Sequence, residues 1–375
     1  MTTESRVKKN FCFLLYNIDP GGLEVYLLRF FRHYQGQFRA TLICKSGKTG
    51  ALLKGYEDAA VEVITVRTGY MNPVSLWKIY RLLRNRKFDG ICDLTSNFGG
   101  LYMWLARKAS IRSRVAYYGQ STNHFRSSAL KSSFDRMVNR LVYRNATAIV
   151  LNSHTATDNF FPYRVAGDPR FKVVYNGVDA AMFSDEKDDE MKQALGIPVS
   201  SFVIGHTGRF DEKKNHQAVL DLAVRACATW DDCYVICCGK GTEQLQESIN
   251  RKQLAGRVLA LGYRDDVHRI LRTFDVFYFP SYTEGQPNSL IEAMMAGLPF
   301  VASDIVPIRD TVPEHLHGQL VGPDDVGSAF HMIQRMKEDR QLRIRLSCRD
   351  WAIEAYNAND RFREFLESVA GDQIV

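Results

Sequence analysis

Short apolar runs alternate with longer amphipathic stretches along most of this chain. The apolar runs of the first half include "NFCFLLYN", "RATLICKS", "VEVITVRT", "FDGICDLTS", "SRVAYYG", "ATAIVLNS" and "FKVVYNGV". The stretches between them repeat apolar positions at helical spacing, as in "LEVYLLRFFRHY". Continuous apolar runs are typical of strands that are covered on both faces. The pattern therefore predicts a parallel sheet with helices on both sides.

A charged and then turn-rich segment, "DEKDDEMKQALGIPVSS" at 185–201, interrupts this alternation. A second series of apolar runs follows it: "FVIGHTGR", "CYVICCGK", "RVLALGY", "VFYFPS" and "PFVASD". We predict an α/β protein of two doubly wound, Rossmann-like domains, with the first at 1–185 and the second at 186–357. A chain of 375 residues can bury two cores of this size. Two such domains in tandem predict a cleft between the carboxyl ends of their strands, where open sheets bind ligands.

Composition narrows the class of protein. No apolar run reaches the roughly 18 to 20 residues that a membrane-spanning helix needs. The first apolar run ends in "DPGG", which favours a first strand over a signal peptide. The 8 cysteines lie mostly in apolar runs and form no CxxC pair. This pattern predicts reduced cysteines in the core of a cytoplasmic protein and no zinc site.

Charge is divided unevenly between the two halves. Residues 1–185 carry 27 basic and 13 acidic side chains, whereas residues 186–375 carry 22 and 29. A basic half indicates an anionic partner, either nucleic acid or an anionic membrane. No module of interleaved basic and aromatic residues supports nucleic acid, so we predict no nucleic-acid partner.

One basic segment could meet such a membrane. In "RSSALKSSFDRMVNRLVYRNA" (126–146) apolar residues recur at helical spacing, and arginines follow another face. The apolar positions are Leu130, Phe134, Met137 and Leu141, and the arginines are Arg136, Arg140 and Arg144. This is typical of an amphipathic helix that lies on lipid. An ordinary helix that packs on the sheet would show the same spacing. We interpret the segment as a site of peripheral membrane contact.

Two glycine-containing or basic turns follow strands and precede helices. Gly21 and Gly22 would let the backbone approach an anion at a helix N-terminus, although a tight turn without a ligand fits equally. In "IGHTGRFDEKKNH", Arg209 leaves the end of a buried strand and Lys214 follows it. These cations could bind phosphate oxygens. The alternative is a solvated basic loop whose charges are balanced by neighbouring acids.

The segment "SYTEGQPNSLIEAMMAGLPFVASD" (281–304) places one glutamate in a turn and another inside an apolar helix. Glu284 could be a solvated turn carboxylate, and Glu292 could cap its own helix, because Ser289 and Glu292 stand at capping-box spacing. Alternatively, the amides of the first helical turn hold a diphosphate and the two carboxylates accept bonds from sugar hydroxyls on either side of it. That arrangement describes a nucleotide sugar. The three amides belong to Asn288, Ser289 and Leu290.

Taken together, these segments resemble a known family. The stretch "EGQPNSLIEAMMAGLPFVASD" is similar to the E-x7-E signature of the family-4 retaining glycosyltransferases of the GT-B fold. The segments "PGGLEVYLL", "YNGVDAAMF", "GRFDEKKNH", "LGYRDDV" and "DVFYFPSYTEG" resemble further family motifs and occur in family order. The resemblance covers nearly the whole chain. It implies a GT-B enzyme whose last helix, at about 358–375, crosses back to the first domain.

The resemblance also assigns roles to residues of the second domain. It implies that Arg209 and Lys214 bind the donor diphosphate, that Glu284 contacts the donor sugar, and that Glu292 accepts bonds from the ribose. It further implies that amides from Asn288 to Leu290 complete the phosphate site and that Arg264 lies near the base. A nucleotide-diphosphate sugar, with UDP-sugar favoured over GDP-sugar, is then the donor, and no separate cofactor is expected.

The resemblance also concerns the acceptor. The resemblance places Gly21 and Gly22 near the phosphates or the acceptor. Relatives that act on lipid-linked sugars often carry a histidine where this chain has "AYYG", so His124 is the candidate for that role, with a loop histidine as the alternative. The acceptor implied is a glycan or a lipid-diphosphate-linked glycan in cell-surface polysaccharide assembly. We expect the protein at the inner face of the membrane.

Three expectations concern the chemistry. No D-x-D triplet occurs, so we expect no metal on the diphosphate. We expect retention of the anomeric configuration through a same-face displacement, with covalent catalysis by Glu284 as the alternative. A non-catalytic nucleotide-sugar-binding subunit and a hydrolase or epimerase of nucleotide sugars are the competing functions.

Overall fold

The computed structural model describes residues 8–68, 72–119 and 129–371. The chain divides into two compact units. The first unit comprises the chain up to Asn176 together with the segment from Asn359 onward, and the second comprises Gly177–Ala358. Residues 177–185, which the sequence analysis assigns to the first domain, therefore lie in the second unit.

The first unit contains a seven-stranded parallel sheet in the order β3-β2-β1-β4-β5-β6-β7. All the strands arise from the apolar runs quoted above. Their bounds are β1 Asn10–Leu15, β2 Arg39–Cys44, β3 Val61–Thr65, β4 Gly90–Asp93, β5 Ser113–Tyr118, β6 Ala148–Leu151 and β7 Phe171–Val173.

The second unit contains a six-stranded parallel sheet in the order β10-β9-β8-β11-β12-β13. Its strands are β8 Phe202–Thr207, β9 Cys233–Cys238, β10 Val258–Ala260, β11 Val276–Phe279, β12 Phe300–Ser303 and β13 Leu320–Val321. The strand order reverses beside β8 in this unit and beside β1 in the first. Two doubly wound sheets confirm the predicted fold class.

Helices connect the strands in both units. In chain order they are α1 Gly22–His33, α2 Leu53–Asp58, α3 Pro73–Arg86, α4 Gly100–Lys108, α5 Ala129–Asn145, α6 His154–Phe160, α7 Asp189–Ala194, α8 His216–Thr229, α9 Gln246–Arg251, α10 Val267–Leu271, α11 Asn288–Met295, α12 Val306–Arg309, α13 Val326–Glu338, α14 Arg340–Arg345, α15 Arg349–Ala355 and α16 Ala358–Ala370. No helix within the described residues is long and apolar enough to cross a bilayer.

Aromatic side chains join the C-terminal helix α16 to the first unit. The rings of Phe362 and Phe365 lie 5.5 and 6.0 Å from that of Tyr26 on α1. Phe365 also packs edge-on against Phe30 and Tyr117, at 5.0 and 5.7 Å. Edge-to-face pairs of this kind stabilise a core beyond the area that they bury.

Helix α5 differs from its sequence-based description. The apolar positions that its sequence indicates include Phe134, Met137 and Leu141. In the structure Val138 and Val142 are buried in the core of the first unit, whereas Met137 is half exposed. Helix α5 therefore packs on the sheet through Val138 and Val142, and membrane contact by its other side stays a prediction. The apolar stripe of the sequence lies beside the buried one, because tertiary packing selected a neighbouring line of residues.

Candidate active site

The candidate active site lies in the second unit, at the edge of the sheet where the parallel strands end. The segment after β8 carries the two predicted phosphate ligands. Asp211 caps the short turn at Glu212–Lys214 by accepting a bond from the Lys213 amide at 3.0 Å. Arg209 Nε lies 3.8 Å from Asp211 Oδ2, and the arginine side chain is 59% exposed. Because so exposed a pair contributes little energy, Arg209 can turn toward an anionic ligand at small cost.

The structure brings Lys214 and Glu284 together across 70 residues of sequence. Lys214 Nζ donates to Glu284 Oε1 at 2.6 Å. Their side chains are only 18% and 9% exposed. The ammonium also lies 4.9 Å from the ring centre of Phe279. Glu284 is therefore not the solvated turn carboxylate that the sequence allowed, and Lys214 is held at the end of β11.

Asn215 fixes the backbone between the predicted ligands and α8. It adopts the left-handed conformation (φ 50°, ψ 50°), which asparagine tolerates better than most residues. Its side-chain oxygen accepts from the Ala218 amide at 3.3 Å, and its Nδ2 donates to the Pro323 carbonyl at 3.0 Å. Sequence reasoning missed this role, although an asparagine directly before a helix is a capping signal.

The loops after β8, β9 and β10 approach one another through glycine backbones. The Gly239 amide donates to the Gly262 carbonyl at 2.8 Å. A Cβ on Gly239 would lie 2.2 Å from the Gly208 carbonyl oxygen, and its φ is +151°. Only glycine fits this position without displacing the segment that leads to Arg209.

Arg264, which was expected near the base, is held by an acid on its own loop. Its Nε and one terminal nitrogen donate to the carboxylate of Asp266 at 2.8 and 2.6 Å. The Arg264 guanidinium holds the pKa of Asp266 below its usual value. A base contact by this loop is therefore better suited to the backbone of Gly262 to Arg264 than to the guanidinium.

Helix α11 begins two residues earlier than a capping box with Ser289 as N-cap requires. Its N-cap is Pro287, which makes no side-chain cap bond, and Ser289 is the second helical residue. Ser289 and Glu292 therefore do not form the capping box that the sequence offered as an alternative. The Leu290 amide donates to the Pro287 carbonyl at 3.0 Å, so it is not one of the free amides expected there. Half-buried Glu292 lies within the helix, as predicted.

Two buried histidines flank the Lys214 segment, and the sequence analysis did not single them out. His206 and His216 pack edge-on with ring centres 4.9 Å apart. The Nδ1 atom of His206 is 3.0 Å from the Tyr278 carbonyl. Burial holds the pKa of His206 well below its usual value. Burial, with the charge of Lys214 adding to it, lowers the pKa of His216 to about 4.

The remaining predicted residues belong to the first unit. Gly21 is the N-cap of α1 and Gly22 its first residue, directly after the loop that follows β1. His124 lies outside the described residues. The same edge of the first sheet holds a buried ion pair that sequence reasoning missed, with Lys45 Nζ 2.9 Å from Asp93 Oδ2. The roles assigned to the site residues stay predictions.

Comparisons with known proteins cover most of the chain. A family model described as Glycosyltransferase Family 4 matches residues 20–181. A second, described as Glycosyl transferases group 1, matches residues 187–350.

Two curated proteins illustrate the similarity. The chain is 31% identical over 251 residues to the putative glycosyltransferase EpsF of Bacillus subtilis, a stretch that spans 64% of each chain and so less than two thirds of that relative. It is 28% identical over 344 residues, 86% of each chain, to the UDP-Gal:alpha-D-GlcNAc-diphosphoundecaprenol alpha-1,3-galactosyltransferase of Escherichia coli.

Solved structures share the fold at lower identity. That of Anabaena Alr3699/HepE in complex with UDP-glucose matches with a TM-score of 0.81 and 23% identity, over 96% of this chain and 99% of that one. That of WaaG, a glycosyltransferase involved in lipopolysaccharide biosynthesis, matches with a TM-score of 0.73 and 15% identity, over 96% and 100%.

Proposed function

The chain belongs to the family-4 glycosyltransferases, and from that premise we propose that it transfers a sugar from a nucleotide-diphosphate sugar to a hydroxyl of a glycan or lipid-linked acceptor. The observation that carries this proposal is the Lys214–Glu284 pair, 2.6 Å apart and mostly buried, beside the exposed guanidinium of Arg209. One carboxylate and two cations at the end of a parallel sheet suit a ligand that joins a sugar to a diphosphate.

The cations act on the leaving group. Negative charge builds on the diphosphate as the bond from the anomeric carbon to its oxygen breaks. Lys214 stabilises this charge because Glu284 fixes it before the reaction begins, and the exposed Arg209 adds its charge by turning toward the diphosphate. Since Glu284 holds the ammonium of Lys214, it also orients that group, while its second oxygen can accept a bond from a sugar hydroxyl. Loss of one such donor typically costs on the order of 10²–10³ in rate.

We propose retention of configuration without a metal ion. The acceptor oxygen forms its bond to the anomeric carbon on the face that the diphosphate leaves, and its proton passes to the departing phosphate oxygen. The helix start at α11 and the two cations supply the positive charge that a metal supplies elsewhere. Glu284 then serves as a hydrogen-bond acceptor and not as a nucleophile, because its Oε1 is committed to Lys214.

The relatives suggest the substrates. The Escherichia coli protein is named as taking UDP-Gal and a diphosphoundecaprenol-linked acceptor. A Campylobacter jejuni relative, 26% identical over 222 residues and 58% of its length, is also named for a diphospho-undecaprenol acceptor. We therefore favour a UDP-sugar donor and a lipid-diphosphate-linked acceptor in surface polysaccharide assembly. The protein then works at the inner face of the membrane, which its basic first half would contact.

A ligand panel tests the donor site. UDP-, GDP- and ADP-sugars are added to the full chain, and the shift in unfolding temperature is measured. We expect one UDP-sugar to stabilise the protein. Arg209→Ala should abolish most of that shift, whereas Arg225→Ala, at an exposed arginine on α8 of the same unit, should keep it. An Arg209→Ala variant that binds as tightly as the parent would show that the phosphate site lies elsewhere.

A transfer assay separates the competing functions. The stabilising UDP-sugar, labelled in the sugar, is incubated with the protein in the presence and absence of an undecaprenyl-diphosphate-linked sugar. Transfer that requires the lipid-linked sugar supports the proposal. Release of free sugar without acceptor would indicate a hydrolase, and tight binding without turnover under either condition would indicate a non-catalytic subunit.

A further inference from the structure

Three consecutive helices of the first unit present an outward face that is both basic and apolar. On α3 the outward line runs through Val74, Trp77, Lys78 and Arg81, at intervals of three and four residues. Val74 is 61% exposed and Trp77 is 55% exposed. The guanidinium of Arg81 lies 4.7 Å from the Trp77 ring centre. A tryptophan more than half exposed is unusual, because few residues gain more from burial.

Helix α4 packs beside α3 and repeats the arrangement. Trp104 is 41% exposed, and Lys108 Nζ lies 6.0 Å from its ring centre. Arg107 is exposed on the same turn of the helix. Met103 and Ala106, on the inward side, are fully buried in the core of the unit. The exposed tryptophan is therefore not a core residue that lacks a partner, since the helix already has a separate buried side.

Helix α5 packs against α4 and extends the face. Met137 is 50% exposed, and Arg136, Arg140 and Arg144 are exposed around it. The three helices contribute to one buried core, so they cover the same side of the sheet. Their only acidic residue is Asp135, which is 3% exposed. The outward sides of α3, α4 and α5, here called the basic helical face, thus carry cations and large apolar groups, although Arg86 at the end of α3 pairs with Glu62 of β3.

We propose that the basic helical face docks this protein on an anionic lipid bilayer, with Trp77 and Trp104 inserted at the level of the headgroups. Tryptophan favours that level because its ring is apolar and its N–H can reach water. The neighbouring lysines and arginines meet lipid phosphates while their alkyl stems cover apolar surface. This inference rests on the proposed function, since a lipid-linked acceptor lies in such a membrane.

The composition of the face favours lipid over nucleic acid. Val74 and Met137 expose aliphatic groups, which have no partner on a phosphate backbone but do on acyl chains. Arg81 already covers the Trp77 ring at 4.7 Å, so the ring is a poor stacking platform for a base. The sequence pointed to one helix, α5. The structure shows that two further helices, which carry the tryptophans, share its side of the sheet.

Vesicle binding by the full chain tests the proposal. The parent is sedimented with vesicles of phosphatidylcholine alone and of phosphatidylcholine with phosphatidylglycerol at 7:3. We expect binding to the mixed vesicles only. The double variant Trp77→Ala/Trp104→Ala should lose roughly tenfold or more in affinity from lost apolar burial. The double variant Arg81→Gln/Arg140→Gln should lose about fivefold in vesicle affinity for each charge removed, and its affinity should depend less on salt concentration.

Controls keep the outcome independent of folding and of catalysis. Ile344→Ala, at an exposed apolar position on α14 in the second unit, should bind vesicles like the parent. All variants should keep the parent's thermal shift with the stabilising UDP-sugar, which shows that they are folded. Absence of a thermal shift in the parent would count against the proposed function and not against this surface. Parent-like vesicle binding by the tryptophan variant would overturn the proposal, as would preferential binding of the parent to a DNA duplex.

Discussion

The buried histidines of the second unit predict a loss of stability in mild acid. His216 has a pKa of about 4 in the folded chain, against a usual value of 6.5. Above pH 6.5 the imidazole is mostly neutral in both the folded and the unfolded chain. Between pH 6.5 and pH 4 the unfolded chain binds a proton that the folded chain does not bind. The free energy of unfolding therefore falls as the pH falls.

The size of the effect follows from these two values. At pH 5 the linkage relation gives a loss of about 2 kcal/mol relative to pH 7 for His216 alone. His206 shifts in the same direction and adds to the loss, because burial holds its pKa well below the usual value. His216→Gln removes one titrating group and should return about 2 kcal/mol of the stability lost between pH 7 and pH 5.

Hydrogen exchange can measure the stability of the second unit separately from that of the first. Samples are equilibrated in increasing urea at pH 7 or pH 5 and then pulse-labelled at one fixed pH. Mass spectrometry of peptides covering Phe202–Thr207 gives the unfolding midpoint of this unit. The control variant is His331→Gln, at an exposed histidine on α13, which should lose stability in acid as the parent does. A His216→Gln variant with the full acid loss of the parent would refute the assigned cause.

Two further predictions concern packing and buried charge. Gly205→Ala should lower the free energy of unfolding by about 3 kcal/mol, because the new Cβ would lie 1.8 Å from the ring of Phe274. Gly318→Ala, where a Cβ would have nothing within 4 Å, should change it by less than ~0.5 kcal/mol. Urea unfolding with the same peptide readout compares the two variants, and equal effects would contradict the packing argument. Asp93→Asn should cost about 3 kcal/mol because it leaves Lys45 buried without its counter-charge. Thermal unfolding measures this, and a variant as stable as the parent would show that the pair is dispensable.

Much of the second unit could be predicted because its signals are local. The run "DVFYFPS" and the glycine-proline turn after "EAMMA" mark a strand, a short helix and another strand, and the structure has β11, α11 and β12 there. Parallel strands covered on both faces are apolar throughout, so their positions are visible without knowledge of their neighbours. Arg209 and Lys214 could be placed at the end of β8 for the same reason.

Contacts between distant segments could not be predicted. The sequence allowed Glu284 to be either a solvated turn carboxylate or part of a ligand site, and the 2.6 Å contact with Lys214 excludes the solvated carboxylate. The capping box failed because the helix begins at Asn288, one residue before Ser289. In both cases one-dimensional spacing allowed several arrangements, and packing against the rest of the sheet selected one.

The sequence by itself determined the two parallel-sheet units, the family and the chemical types of residue at the end of β8 and in the turn after β11. It determined these because burial on both faces of a strand and the spacing of a motif are written along the chain. The tertiary structure alone decided which charges pair, which histidines are kept neutral, and which sides of α3, α4 and α5 face solvent. Those properties depend on what surrounds a side chain in space, and only folding brings the surrounding groups together.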